Sequence, residues 1–406
     1  MSDSLPILRG AARPGGTAAP ATLEGHPELR QARLRAAYAH VPFCFHKCHY
    51  CDFYSFVDQE SRGGAFVERL LAEAGAWRPL VREPLETLFV GGGTPTLLEP
   101  QRLADLLQGL RRILPWATDA EWTVEANPET VTPEVAASLA AAGVRRVSVG
   151  CQSFSPALLA ALERWHRPES VAVAVERLRA AGIPSINLDL IFAIPGSSME
   201  SWGADLQHAC RLRPDHLSCY GLVYEPGTPL RVKLERGDVA RVDEDLEAEM
   251  YELTRRELAR EGYGHYEISN WSRPGHECRH NLLYWEDADW LALGPSASGH
   301  AGRLRWKNVP RLGDWLAHGP WSPVVDLEER SEDGRVGERF MLGLRCLAGL
   351  PAAEVDSLLA ATPRGGARRR VIEEAIQGGL LHWQAGRLAL TPAGLLLADR
   401  VISDLL

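Results

Sequence analysis

Tyr38-Ala-His-Val-Pro-Phe-Cys44-Phe-His-Lys-Cys48-His-Tyr-Cys51-Asp-Phe53 places three cysteines within eight residues at C-x3-C-x2-C spacing, while the other five cysteines are scattered singly. Thiolates are soft ligands suited to iron–sulphur clusters, and a four-iron cube needs a ligand on each iron. Three cysteines leave one iron open, able to bind a small molecule and pass it an electron. Two other readings compete. A structural zinc ion closes with four ligands, and His46 or His49 would have to supply the fourth from inside the same tight loop. Disulfides would leave one cysteine over and need an oxidising compartment.

Outward from this run, the chain alternates short apolar segments with longer amphipathic ones. Strands are expected at 36–41, 87–90, 122–126, 146–150, 186–192 and 216–222, and helices at 65–77, 102–114, 133–142, 171–181 and 199–212. Such alternation builds parallel βαβ units with buried strands. Six units, with no seventh or eighth, point to an incomplete barrel. In α/β barrels the chemistry sits at the C-terminal ends of the strands. The cysteine loop follows the first strand and Gly91–Pro95 the second. Glu125 ends the third, Gln152 follows the fourth and Asp189 lies in the fifth.

The cysteine spacing, together with Gly91-Gly-Gly-Thr-Pro-Thr96, Glu125-Ala-Asn-Pro128, Ser148-Val-Gly-Cys-Gln-Ser153, Asn187-Leu-Asp-Leu-Ile191 and His280-Asn-Leu-Leu-Tyr-Trp285, resembles the radical S-adenosylmethionine (radical SAM) superfamily. The motifs follow the order of the branch holding the oxygen-independent coproporphyrinogen III oxidases and the HemW-type haem chaperones. The similarity runs from about Ala36 to the C-terminus. It implies closure into an incomplete (β/α)6 barrel and a [4Fe-4S] cluster on Cys44, Cys48 and Cys51. It implies an S-adenosylmethionine site at Tyr38, Tyr50, Gly92, Gly93, Thr94, Glu125, Gln152, Arg164, Asp189 and Val223. A reduced cluster in such proteins passes one electron to the bound cofactor and cleaves a carbon–sulphur bond, for which no side chain need act as acid or base. A structural cap or ion pair remains the alternative for Glu125 and Asp189.

The net charge of −9 and the lack of a basic patch argue against a nucleic-acid partner. At 45% hydrophobic residues the composition is that of a globular protein, and no apolar run nears the ~20 residues of a membrane span. The first thirty residues are rich in Ala, Gly and Pro but lack an apolar core and include Asp3 and Glu24, unlike a targeting peptide. A cytoplasmic protein with a disordered tail over 1–32 is the expectation, followed by the barrel over 33–240 and an extension over 241–326. Residues 327–406 read as a smaller winged-helix-like domain, with helices near 340–345, 351–359, 368–377 and 392–402 and a β-wing over 378–391. Its expected role is packing or covering, not DNA binding.

His280, Asn281 and Tyr284 match the HNxxY pattern that the resemblance associates with haem, making His280 and Tyr284 candidate haem contacts. A buried histidine bonded to a neighbour is the other reading, and Cys278 is a rival ligand two residues away. His300, in a Gly/Ser-rich stretch from Trp290, is either a cleft residue or a structural one. Three departures from the oxidase pattern favour the chaperone. Phe53 stands where the oxidases carry a further cysteine, only a short tail precedes Tyr38, and HNxxY is present. The expected function is therefore delivery of haem to client apo-proteins, membrane-borne ones included, with an electron donor for the cluster. Oxidative decarboxylation of coproporphyrinogen III is the alternative, and a radical enzyme of other substrate stays open.

Overall fold

A computed structural model describes residues 22–406. Residues 1–21, most of the expected tail, lie outside the described residues. The ordered part starts earlier than expected: Pro27–Arg30 form a short 3-10 turn, and Leu23 and Leu29 are buried in the main core.

Six strands run parallel in chain order: β1 (Leu34–Val41), β2 (Leu85–Gly92), β3 (Trp116–Ala126), β4 (Arg146–Gln152), β5 (Ser185–Phe192) and β6 (His216–Gly221). Between them lie α1 (Gly63–Trp77), α2 (Pro100–Ile113), α3 (Pro133–Ala141), α4 (Pro156–Ala161), α5 (Pro168–Ala180) and α6 (Met199–Arg211). Local chemistry marks the helix starts. Thr132 and Ser155 cap α3 and α4 through their hydroxyls, and Ser198 with Ser201 forms a capping box on α6.

Past β6 come α7 (Pro229–Arg236), α8 (Glu244–Arg260), β7 (Gly264–Glu267), β8 (Asn270–Ser272) and α9 (Arg279–Trp285). Then follow β9 (Asp289–Leu293), β10 (Ser298–Ala301), β11 (Leu304–Asn308), α10 (Leu312–Leu316) and β12 (Val324–Glu329). These strands extend both edges of the sheet, giving the order β12-β11-β10-β9-β1-β2-β3-β4-β5-β6-β8-β7. The order has two free ends, so the barrel is incomplete. The segment 241–326 is thus woven into the same sheet. β9 pairs parallel with β1, a seventh parallel strand that the sequence pattern did not reveal. Its apolar core is short and runs into Gly294-Pro-Ser-Ala-Ser, which reads as a loop. His300, in β10, is fully enclosed, with its ring nitrogens against the carbonyls of Ala288 and Gly302.

The C-terminal residues form α11 (Glu332–Arg345), β13 (Leu350–Pro351), α12 (Ala352–Ala361), α13 (Gly365–Gln377), β14 (Leu381–Gln384), β15 (Arg387–Leu390), α14 (Pro392–Leu396) and α15 (Ala398–Ser403). Three helices followed by the β14–β15 hairpin make the expected winged-helix-like order. The single last helix expected over 392–402 is broken at Leu397, whose backbone leaves the helical region.

The two faces of the parallel sheet differ. Ala39, Val90, Val124, Val149, Leu188 and Leu217 are buried on the outer face, beneath the helices. The inner face carries His40, Thr87, Thr123, Arg146, Asn187 and His216, also buried. Period-two alternation therefore separates apolar from polar side chains with neither face open to water.

At the sheet's β9–β11 edge, Glu73 of α1 is buried and accepts from the Gly294 N–H at 2.8 Å, from the Asn308 amide at 3.2 Å and from the Ser322 hydroxyl. Burial pushes this carboxyl up to about 7, against those bonds and Arg69. A carboxyl raised in the folded state favours folding below its ordinary value and loses that contribution as pH rises through the folded one. Stability should therefore fall as pH climbs from 4.5 to about 7. Glu73→Gln should flatten that decline in a series of thermal melts, and an unchanged pH profile would remove Glu73 as its source.

Candidate functional site

The cysteine loop leaves the C-terminal end of β1 and is fastened by backbone bonds on three sides. Cys44 N–H donates to Phe56 at 2.9 Å, His49 N–H to Leu162 at 3.3 Å, and Leu230 N–H to His49 at 2.9 Å. The glycine run after β2 closes on it from below. Gly93 N–H donates to Val41 at 2.8 Å and Thr94 N–H to Phe43 at 2.7 Å. A side chain at Gly93 would place its Cβ 2.6 Å from the Phe43 carbonyl oxygen, so only glycine lets the two backbones meet. Gly92 adopts φ +105°, and a Cβ there would enter the His40 ring. The Gly91–Thr94 run is therefore the seat of the cysteine loop.

The sulphurs do not converge on one point. Cys44 Sγ lies 3.6 Å from the Thr94 hydroxyl, and the Arg164 guanidinium donates to Cys48 Sγ at 3.5 Å. Among the described residues no three His, Cys, Asp or Glu side chains are gathered as ligands to a single ion. Such a spread suits a cube, in which each cysteine binds a different iron, better than a lone zinc ion. All three cysteines are free of disulfides. Burial, with the neighbouring Cys48 and Cys44 thiols, pushes Cys51 up to about 11, so ionising it falls to a bound metal. Arg164 also donates to the Gly150 carbonyl at 3.0 Å, setting a positive charge between the loop and the end of β4.

The residues assigned by resemblance to S-adenosylmethionine fall mostly on one rim. Glu125 accepts from the Gly92 N–H at 2.9 Å. Burial, and then the nearby Asp189 charge, push its carboxyl up to about 7. Asp189 accepts from Ser148 at 3.0 Å and from the Asn187 amide at 2.7 Å, and burial raises its carboxyl too. Gln152 sits in a left-handed conformation at a register shift between β4 and β5. Tyr50 is packed beside Leu158, Leu162 and Ile191, within range of the Arg164 charge. Tyr38 donates its hydroxyl to His40 Nδ1 at 3.0 Å, the direction set by His40 Nε2–H donating to the Tyr54 carbonyl at 2.8 Å. Val223 stands apart, just past Leu222, whose N–H reaches Phe192. Two carboxylates, one guanidinium and a glycine-lined backbone beside the cysteine loop suit a cationic ligand that carries its own carboxylate and hydroxyls.

His280 and Tyr284 are not part of this rim. Their helix α9 plugs the opposite end of the barrel. The side chain of Glu121 on β3 accepts the N–H groups of Arg279 at 3.2 Å and His280 at 3.1 Å, capping the helix. The His280 ring bonds Thr87 at 2.8 Å and Tyr284 at 2.9 Å, which occupies both nitrogens, and the side chain is 1% exposed. Burial, then the Arg146 charge, lowers its pKa to about 3. As placed, the pair cannot reach a haem iron, which corrects the expectation drawn from HNxxY. Cys278, buried against Glu121, is no more accessible.

Residues passed over in the sequence join the two ends of the barrel. His216 Nδ1 bonds the Asn187 carbonyl at 2.6 Å and Nε2 bonds the Tyr266 hydroxyl at 2.7 Å, which in turn accepts the Cys278 N–H at 3.2 Å. With Asn187 on Asp189, a continuous chain of hydrogen bonds runs from the rim to α9. The sequence signal was a polar residue at every second position of otherwise apolar strands.

Comparison with known proteins places this geometry. Residues 38–209 match the radical SAM superfamily model and residues 331–397 the HemN C-terminal domain model. The "Heme chaperone HemW" of Mycobacterium tuberculosis is 41% identical over 376 residues, covering 91% of this chain and 94% of that one. Proteins of the same description from Lactococcus lactis and Bacillus subtilis are 34% and 33% identical, over 97% and 99% of their lengths. The structure of coproporphyrinogen III oxidase (HemN) from Escherichia coli superposes with a TM-score of 0.79 at 21% identity, covering 92% of this chain and 90% of its own, which establishes the likeness of fold.

Serine at Cys44, Cys48 or Cys51 should bring iron and sulphide after anaerobic reconstitution close to background, whereas Cys151→Ser and Cys219→Ser should leave both unchanged. Gly93→Ala should likewise lose iron, through displacement of the loop. Full iron retention in the three cysteine variants would place the cluster elsewhere.

Proposed function

Because the chain belongs to the HemW family within the radical SAM superfamily, we propose that it is a haem chaperone, binding haem and handing it to client apo-proteins. The observation that carries this reading is the near-full-length 41% identity to a HemW protein. Phe53 agrees with it. It stands where the oxidase pattern carries a cysteine, and it is 57% exposed, turned away from the rim.

Cys44, Cys48 and Cys51 would hold a [4Fe-4S] cluster, and Gly92, Gly93, Thr94, Glu125, Gln152, Arg164 and Asp189 would hold S-adenosylmethionine, with Tyr38, Tyr50 and Val223 alongside. When bound, that pair supplies one-electron cleavage of a carbon–sulphur bond. The chain's own contribution is placement. Arg164 stands beside a sulphur that must be ionised to bind iron, and Glu125 and Asp189 offer acceptors to a cation. An electron donor is required for reduction. No helix among the described residues is long and apolar enough to cross a membrane, so a membrane-borne client would be met from outside the bilayer.

The second reading, coproporphyrinogen III oxidase, is favoured by the shared fold alone. The reconstituted protein, reduced anaerobically with S-adenosylmethionine and coproporphyrinogen III, should give no decarboxylated product above a cluster-free control. It should take up haem stoichiometrically when titrated by absorbance. Robust decarboxylation, or no haem uptake, would overturn the chaperone reading.

A further inference from the structure

The place of the haem is the question that burial of His280 leaves open. A surface that takes haem needs an imidazole with a free nitrogen, flat apolar groups for the macrocycle and cations for the two propionates. The outer side of the cysteine loop supplies all three. Neither ring nitrogen of His46 has a hydrogen-bond partner, and Nε2 is an unsatisfied polar atom. The ring lies 5.5 Å from that of Trp165, tilted by 34°. Phe45 meets the same Trp165 edge-on at 5.5 Å. Phe45 is 66% exposed and Trp165 64%, an arrangement that forgoes roughly 1.5–3 kcal/mol of burial for each large side chain.

These rings are held outward by their neighbours. Arg164 is tied to Cys48 and Gly150, and His166 is buried, so Trp165 between them has only the solvent side. Cys44 is bonded to Phe56 and Thr94, which turns Phe45 and His46 away from the barrel. Lys47 is exposed next to His46, and the Arg167 side chain is 82% exposed with only a 4.0 Å contact to Glu129. An apolar patch with an imidazole at its centre and cations at its margin matches an iron porphyrin.

Resting on the chaperone reading, we infer that haem docks on the outer face of the cysteine loop, with His46 as iron ligand, Trp165 and Phe45 against the macrocycle and Lys47 and Arg167 beside the propionates. The site then lies on the very loop that carries the cluster ligands. Haem affinity would depend on cluster occupancy through the shape of that loop.

The test is a haemin titration of the full-length, anaerobically reconstituted protein, followed at the Soret band, with iron and sulphide measured for every variant. His46→Ala should bind about tenfold or more weakly and shift the Soret band through loss of the axial ligand. Trp165→Ala, outside the loop, should weaken binding and keep the wild-type band position. His280→Ala should keep both affinity and band. If the wild type takes no haem, the chaperone reading falls. If the wild type binds but His46→Ala and Trp165→Ala match it, the site proposed here falls while the chaperone reading stands. Should His46→Ala lose its cluster, Trp165→Ala and Phe45→Ala decide alone, and unchanged affinity in both overturns the proposal. Loss of haem by His280→Ala with normal cluster content also overturns it.

Discussion

Parallel strands buried on both sides leave no water for the groups on their inner face, and here that face is polar. A buried polar group without a partner costs on the order of 1–3 kcal/mol, so each one must be bonded within the protein. Most of the architecture around the barrel answers to this constraint. Helix α9 enters the end of the barrel opposite the cysteines because Glu121 and Thr87 need donors and acceptors there, and Arg279, His280 and Tyr284 supply them. The C-terminal domain holds the plug in place. Arg339 donates to the Trp285 carbonyl at 2.9 Å, the Arg345 guanidinium lies over the Trp285 ring, and Leu347 bonds Tyr266. That domain packs on the barrel floor, as its acidic, winged-helix-like sequence led one to expect of a covering module.

The same constraint links the two ends. Asp189, Asn187, His216 and Tyr266 satisfy one another in series, so a charge placed on the rim and the seating of α9 share one network. Networks of this kind are costly when half satisfied. A cationic ligand beside Glu125 and Asp189 would relieve the mutual repulsion that, with burial, holds both carboxyls above their ordinary range. The HNxxY segment, on this view, answers to the stability of the barrel floor. The open face of the cysteine loop carries the features of a ligand surface.

Much of the fold was legible because periodicity reports burial. The six strands and their helices were read within a few residues, since apolar alternation and Ser, Thr and Pro at helix starts are local signals. β9 was not, because five residues running into a Gly/Ser stretch look like a loop until β1 offers an edge to pair with. The break at Leu397 and the ordered turn at Pro27–Arg30 escaped for the same reason: each depends on contacts with distant segments. His40, Glu121, Arg146 and His216 left a faint trace as polar residues in apolar strands, but nothing local says whom they meet.

By itself the sequence determined the chemistry of the cluster loop, the class of fold and the family, because thiolate spacing, glycine runs and strand periodicity are properties of neighbouring residues. Tertiary structure alone decided which histidine is free. His280 sits in a motif that reads as a ligand, yet Thr87 and Tyr284 take both its nitrogens, while His46, passed over as a poor zinc ligand, keeps its nitrogens unbonded beside exposed rings. The availability of a side chain depends on what lies within about 3 Å of it. Here those neighbours come from other strands and helices, brought together only when the sheet curls.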